Sequence, residues 1–284
     1  MLLSLVVQIK PFKVGTLPPF SGPALHGVFF SWLKSVNPML AAELHNAKSA
    51  KPFTVSNLQT GDGAEAPALF MPTREIVLDT NKTYWFRLTS LDKRLSELLL
   101  ERFYKQPPLS LEVFKHFFRV EKVIAEQSEH PWAGSSSWQE LAQANFFADT
   151  ASTSSSSRVK LIFFSPTTFK ARERFFPVPM PAQTFISLAA RWNSFSPVPL
   201  DPSFGAFLDE SVAINAYNLQ TELVTMEGAK RGAKMVCFRG WCEYASFERE
   251  SEWNAALKML AQFAFFAGVG YKTTMGFGQT LFAH

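Results

Sequence analysis

The 284-residue sequence predicts an α+β protein of two tandem ferredoxin-like domains (β-α-β-β-α-β, RRM-like). Three observations carry that prediction. Strand-type and helix-type periodicities follow the order strand-helix-strand-strand-helix-strand in residues 1–150. The same order recurs in residues 151–284. Between the two halves lies Ala151-Ser-Thr-Ser-Ser-Ser-Ser157, a low-complexity run read as a linker, with a loop inside one domain as the alternative. The length suits two domains of about 130–150 residues each.

In the first half, Leu2–Ile9 is predominantly apolar and predicts a core strand; Lys10 and Pro11 end it. It lacks the positive flank and small-residue cleavage site of a signal peptide and is too short to cross a membrane. No other stretch is long enough, so a soluble, cytoplasmic protein without a membrane partner is expected. Ser21-Gly-Pro23 starts a helix, with Ser21 available as cap and Pro in the first turn. That helix runs from about Ala24 to Val36, where Asn37-Pro38 interrupts it. Lys51–Gln59 and Thr83–Ser90 are enriched in β-branched and aromatic residues and predict strands. Leu91–Tyr104 places Leu91, Leu95, Leu98 and Leu99 on one helical face, and Val113–Ala125 closes the half as one or two strands.

The second half repeats the plan. Arg158–Phe164 is a strand, and Ala182–Trp192 a helix introduced by Phe176-Pro-Val-Pro-Met-Pro181. Ala213–Thr225 and Lys234–Tyr244 form a hairpin around Glu227-Gly-Ala-Lys-Arg-Gly232. Glu252–Phe266 is a helix with an apolar inner face, and Gly278–Phe282 the last strand.

Composition narrows the function classes. Apolar residues are 47% and charged residues 18%, an ordinary globular balance. The 29 phenylalanines are expected mostly in cores. Formal net charge is +4, most of it in the second half, which permits nucleic-acid binding without requiring it. Cys237 and Cys242 are five apart with no CxxC or neighbouring His, so zinc lacks a ligand set, and on a strand the odd spacing places them on opposite faces. No HExxH motif, no i,i+4 histidine pair and no G-x-S-x-G elbow occurs, and no metal or other cofactor is expected.

The chemistry concentrates near the C-terminus. Gly268, Gly270, Gly276 and Gly278 form two G-x-G pairs separated by five residues. A dinucleotide fingerprint would need glycine where Thr273 stands, and a strand before with a helix after; here the order is reversed. A P-loop would need glycine where Tyr271 precedes Lys272. What remains is a loop in which glycines let backbone amides approach an anion. Lys272, Thr273, Thr274 and Gln279 supply charge and hydrogen bonds for phosphates and 2′-hydroxyls, and Tyr271 a ring for a base. A turn serving only close packing is the alternative. Further cations sit at Lys230, Arg231 and Lys234 in the predicted hairpin and at Lys170, Arg172 and Arg174 before the Pro-rich run; a solvated charged turn is the alternative reading of the hairpin.

Gly268–Gly278 matches G-h-G-x5-G-h-G, with h hydrophobic, at every position. It resembles the C-terminal loop of the CRISPR repeat-processing endoribonucleases, in the repeat-associated RNA-binding superfamily. Phe164-Ser-Pro-Thr-Thr-Phe169, Arg174-Phe-Phe-Pro177, Ser187-Leu-Ala-Ala-Arg-Trp-Asn193 and Phe238-Arg-Gly-Trp-Cys-Glu-Tyr244 resemble other segments of that family's second domain, and Leu25-His26-Gly27 touches its first. The resemblance implies metal-independent cleavage of CRISPR repeat RNA to a 2′,3′-cyclic phosphate and a 5′-hydroxyl. It also implies a catalytic histidine on the first helix, the place of His26. Lys34, two helical turns on, is the candidate cation; no Tyr precedes Tyr84 to complete a His-Tyr-Lys set. The signature also occurs in non-cleaving members, so an RNA-holding subunit of a larger CRISPR complex is the alternative. The partners implied are repeat RNA and other CRISPR-associated proteins, for a chain acting as monomer or homodimer.

Histidine, titrating near neutrality, suits either proton role in attack by a 2′-hydroxyl. His26 is expected in the first helical turn, where amides and dipole favour phosphate, with Gly27 leaving room for substrate. His45, His116, His130 and His284 form no comparable constellation.

Overall fold

The computed structural model describes residues 1–47, 50–61, 75–146, 157–226, 234–248 and 251–283. The chain divides into two compact units. One comprises Met1–Ser135 with Thr225–Lys234 and Lys272–Gly276; the other comprises Ser136–Val224, Met235–Tyr271 and Phe277–His284.

The first part of the chain forms β1 (Leu2–Pro11), β2 (Gly15–Leu17), α1 (Gly22–Val36), α2 (Pro38–Asn46), β3 (Phe53–Val55), β4 (Gln59–Thr60), β5 (Ile76–Leu78), β6 (Tyr84–Ser90), α3 (Lys93–Leu99), β7 (Ser110–Val113), β8 (His116–Ile124) and β9 (Gly134–Ser136). The main sheet runs β3-β6-β1-β8-β7. β1 is central and antiparallel to both neighbours, with Val6 opposite Arg87 on one side and Ile124 on the other. Burial on both faces over Leu2–Val7 is why that part reads as apolar apart from Ser4, whose hydroxyl is hydrogen-bonded. Its Leu3, Leu5, Val7 and Ile9 join Leu25, Phe29 and Leu33 of α1 and Leu95 and Leu99 of α3 in one core. Counting only the strands of the repeat, the order is second-third-first-fourth around two crossover helices, which is the ferredoxin-like plan.

The opposite face of this sheet is covered at one end only. Arg87 is fully buried there; its Nε donates to Ser4 Oγ (2.6 Å) and to the Trp132 carbonyl (3.1 Å). Its guanidinium lies 5.1 Å from the Trp132 ring, and burial lowers its pKa to about 9. Trp85 packs edge-on against His130 beside it.

The later part forms α4 (Trp138–Phe146), β10 (Ser157–Thr167), β11 (Phe169–Ala171), β12 (Arg174–Phe176), α5 (Pro181–Phe195), α6 (Phe204–Ser211), β13 (Val212–Thr225), β14 (Lys234–Ser246), α7 (Ser251–Ala267) and β15 (Thr280–Ala283). The sheet order β13-β14-β10-β15 repeats second-third-first-fourth. α4 belongs with this unit: Trp138 lies 5.4 Å from Phe263 of α7, and Asn145 donates to Gln262 across the two helices.

Several local expectations change. The strand expected over Lys51–Gln59 is two short strands, because Ser56–Leu58 is occupied by side-chain hydrogen bonds. The helix expected over Leu91–Tyr104 starts at Lys93 on an Asp92 cap, and its last turn, Leu100–Tyr104, widens to a π-turn. Cys237 and Cys242 are both buried rather than on opposite faces. The alternation of burial along β14 slips by one after Cys237, near Gly240, where the register with β10 also shifts. Burial raises their thiols to about 12 and about 11. The hairpin turn expected at 227–232 lies outside the described residues.

Gly240 has φ +124°, and an added Cβ would lie 2.0 Å from the Asn218 carbonyl oxygen of β13. Gly240→Ala is therefore expected to destabilise the protein by about 2–5 kcal/mol through strain and overpacking, read as a lowered thermal midpoint.

Candidate active site and RNA-binding residues

The entry to α1 is fixed by side chains that come from far along the sequence. Gly22 N donates to Asn57 Oδ1 (2.8 Å), and Asn57 Nδ2 donates to the Gly276 carbonyl (2.9 Å). Gly276 N in turn donates to the Val55 carbonyl (2.8 Å). Gly22 packs so closely on the turn Thr273–Met275 that an added Cβ would sit 2.0 Å from the Met275 oxygen. Ser21 makes no side-chain cap; its hydroxyl accepts from Leu58 N instead. The helix N-terminus is thus occupied by protein, so the expectation that its amides meet phosphate does not hold. His26 also lies two residues further into the helix than expected, because α1 starts at Gly22.

The same clamp brings Thr274 to the histidine: His26 Nδ1 is 2.8 Å from the Thr274 carbonyl oxygen. A carbonyl only accepts, so this contact requires the proton on Nδ1 and leaves Nε2 of the neutral ring as an acceptor. The ring is half-buried between Phe30 (centroids 4.8 Å) and Phe53 (5.9 Å, stacked). Its pKa is lowered, chiefly by burial; the Thr274 bond opposes this, and Lys51, His45 and Lys272 add to the lowering by repelling the imidazolium.

Those three groups define the electrostatics. Lys51 donates through Nζ to the Leu44 and His45 carbonyls at the end of α2, and burial lowers its own pKa. Lys272 adopts the left-handed conformation (φ +57°) and directs Nζ to the Met226 and Met275 sulfurs. His45 is exposed, edge-on to Phe30 at 5.6 Å. Lys34 is not brought in. It is exposed on α1, eight residues beyond His26, or about 12 Å along the axis, and is not among the charges acting on the ring.

The four signature glycines all have positive φ. Gly268 N donates to Ala264, Gly276 N to Val55 and Gly278 N to Pro166 carbonyls, while Val269 N reaches the Gly278 carbonyl. These three amides brace the loop rather than face outward, which corrects the picture of glycine amides open to an anion. A Cβ on Gly270 would meet the Thr168 oxygen at 2.5 Å, and one on Gly276 the Asn57 amide oxygen at 2.6 Å. Gly270 and Gly276 are required by close approach; Tyr271, Lys272 and Thr274 are half-buried, whereas Thr273, expected to offer a hydrogen bond outward, is buried. In the second unit, Tyr271 N donates to the Thr168 carbonyl; the ring faces Phe175 at 6.1 Å and Lys170 Nζ at 5.7 Å. Phe175 lies on the β11–β12 hairpin, whose turn holds exposed Arg172 (φ +54°) beside exposed Arg174. Arg191 donates to the Ala267 carbonyl at the end of α7, fixing where the loop begins. Lys234 is exposed at the start of β14; Lys230 and Arg231 lie outside the described residues.

The model of the CRISPR-associated endoribonuclease Cas6 matches residues 161–280, and that of the Cas6 N-terminal domain matches residues 1–143. The chain belongs to the CRISPR-associated endoribonuclease Cas6 family. Among solved structures it is similar to Thermus thermophilus Cas6, at 27% identity and TM-score 0.70 over 100% of this chain and 98% of that one. It is also similar to two Cas6 product complexes, one at 26% identity, TM-score 0.75 and 100% of both chains, the other at 27% identity, TM-score 0.74, 100% of this chain and 99% of that one. Comparison with curated protein sequences gives no match. The Cas6 N-terminal match contains His26, and the Cas6 match contains the glycine loop.

Sequence reasoning missed Lys51 and His45 as neighbours of His26, and Asn57 as the support of the turn that meets it. Lys51 and His45 are close in sequence to each other but not to His26, so no spacing rule connects them. Asn57 sits between two strand signals, where an amide in an apolar stretch is a fair marker of a buried hydrogen-bonding role.

Asn57→Ala would leave the Gly22 amide and the Gly276 carbonyl without their partner. The expected cost is about 1–3 kcal/mol, measured by thermal or denaturant unfolding, together with a loss of the His26–Thr274 bond detectable in the His26 ring NMR signals.

Proposed function

We propose that this chain processes CRISPR repeat RNA by metal-independent cleavage, with His26 as general base. The observation that supports this most is the single Nδ1 bond from His26 to a backbone carbonyl. It holds the neutral ring in one tautomer with Nε2 available. The Nε2 lone pair takes the 2′-hydroxyl proton; the oxygen attacks the adjacent phosphorus; the bond to the 5′-oxygen breaks, and that oxygen leaves with a proton drawn from solvent. The products are a 2′,3′-cyclic phosphate and a 5′-hydroxyl. Lys51 and Lys272 offset the charge that builds on the phosphate. The charges acting on His26 are all cationic, a setting that repels a divalent metal and suits an anion. The Cas6 product complexes and a Cas6 substrate-mimic complex among the similar structures support the substrate assignment.

His26→Ala is expected to slow cleavage of labelled repeat RNA by about 10²–10⁴-fold in EDTA, with binding retained. Wild type that binds tightly yet never cuts would instead make the chain a holder of guide RNA. Binding should also weaken steeply as salt rises.

The pH profile has a defined sign. A base must be unprotonated, and burial sets the His26 pKa below its ordinary 6.5. The single-turnover rate should therefore fall only as pH drops through that lowered value and be level near neutrality. Lys51→Ala removes a charge that repels the imidazolium, so the acid limb should move to higher pH while the plateau rate drops.

A further inference from the structure

On the sheet face of the first unit away from the helices, the cover provided by Trp132 and His130 reaches Trp85, which stands opposite Gln8. Beyond it, β1 and β8 continue as a ladder of cross-strand neighbours in which Gln8 and Lys10 are half-buried and Arg119 and Lys122 exposed. Gln8 stands opposite Lys122, and Lys10 opposite Arg119. Phe12, whose N–H donates to the Phe117 carbonyl (3.0 Å), stands beside Phe117. Both rings are more than half exposed, at 56% and 57%. Such neighbouring bare phenylalanines contrast with the many buried ones, and no core residue among those described covers them. Lys13 follows Phe12 in the chain and Lys115 lies in the β7–β8 turn two residues before Phe117, both exposed. Arg119 and Lys122 are ion-paired to Glu121 and Glu129, and Glu112 sits opposite Phe117. Lys10, Lys13 and Lys115 have no acidic partner among the described residues, and the balance around the rings remains basic.

We infer that this uncovered end of the sheet is a second RNA-contact surface, where unpaired bases stack on Phe12 and Phe117 while Lys10, Lys13 and Lys115 hold the phosphates. Aromatic rings interleaved with cations on an exposed sheet are chemically matched to single-stranded nucleic acid: a π-face accepts any base, and the ammonium groups track the backbone. Consecutive same-face residues on a strand are about 6.8 Å apart, so the ladder offers successive positions along an extended chain. An apolar protein partner would have little use for cations near the rings in the chain. The inference rests on the reading that the substrate is RNA and adds a site that does not include His26.

The test compares repeat RNA with and without an unpaired flank. Phe12→Ala/Phe117→Ala should weaken binding of the flanked RNA roughly tenfold or more while leaving the unflanked repeat and the saturating cleavage rate unchanged. Because both side chains are exposed, the thermal midpoint should not move, and Phe12→Tyr/Phe117→Tyr should restore affinity. Unchanged affinity for the flanked RNA would overturn the proposal. So would a shift from dimer to monomer with RNA binding intact, which would make the face a contact between copies. If wild type binds neither RNA, the RNA reading itself fails and this surface falls with it.

Discussion

One amide side chain holds the candidate site together. Asn57 grips the first residue of α1 with its oxygen and the Gly276 carbonyl with its nitrogen, and Gly276 closes the ring of contacts onto Val55. These bonds set how near the turn Thr273–Met275 comes to the helix, and so whether the Thr274 carbonyl reaches His26. The absence of side chains at Gly22 and Gly276 is the steric condition for that approach. Buried and fully satisfied, such a network fixes one geometry, where a half-satisfied one would cost more than an apolar contact.

The electrostatics follow from that geometry. A half-buried imidazole already disfavours its charged form, and cations at Lys51 and Lys272 disfavour it further. The same cations that keep the ring neutral are the groups an incoming phosphate would meet. An anion arriving there would relieve their repulsion of the imidazolium and raise the affinity of His26 for a proton as the reaction needs it.

Much of the fold was legible because periodicity and order are local properties. The central strands β1 and β10, the helices α1, α5 and α7, and the doubled element order all follow from patterning in the chain. The glycine signature identified the family for the same reason, since its spacing is short. What was not legible depends on tertiary contacts. Nothing near His26 in sequence marks Lys51 as its neighbour, and the helical spacing that suggested Lys34 leads away from the ring. The cap expected of Ser21 gave way to a longer-range bond to Leu58. The glycines read as room for an anion are room for the chain's own carbonyls, a distinction that spacing cannot make.

The group that orients His26 is a backbone oxygen. Any amino acid placed at position 274 carries the same oxygen, so the orienting contact is encoded by the path of the chain rather than by a letter of its alphabet. A protein built this way can let that letter drift while its base stays aimed. The reverse also holds: the aim is vulnerable at positions that never touch the ring, wherever a change bends the path, as at Gly22, Asn57 or Gly276.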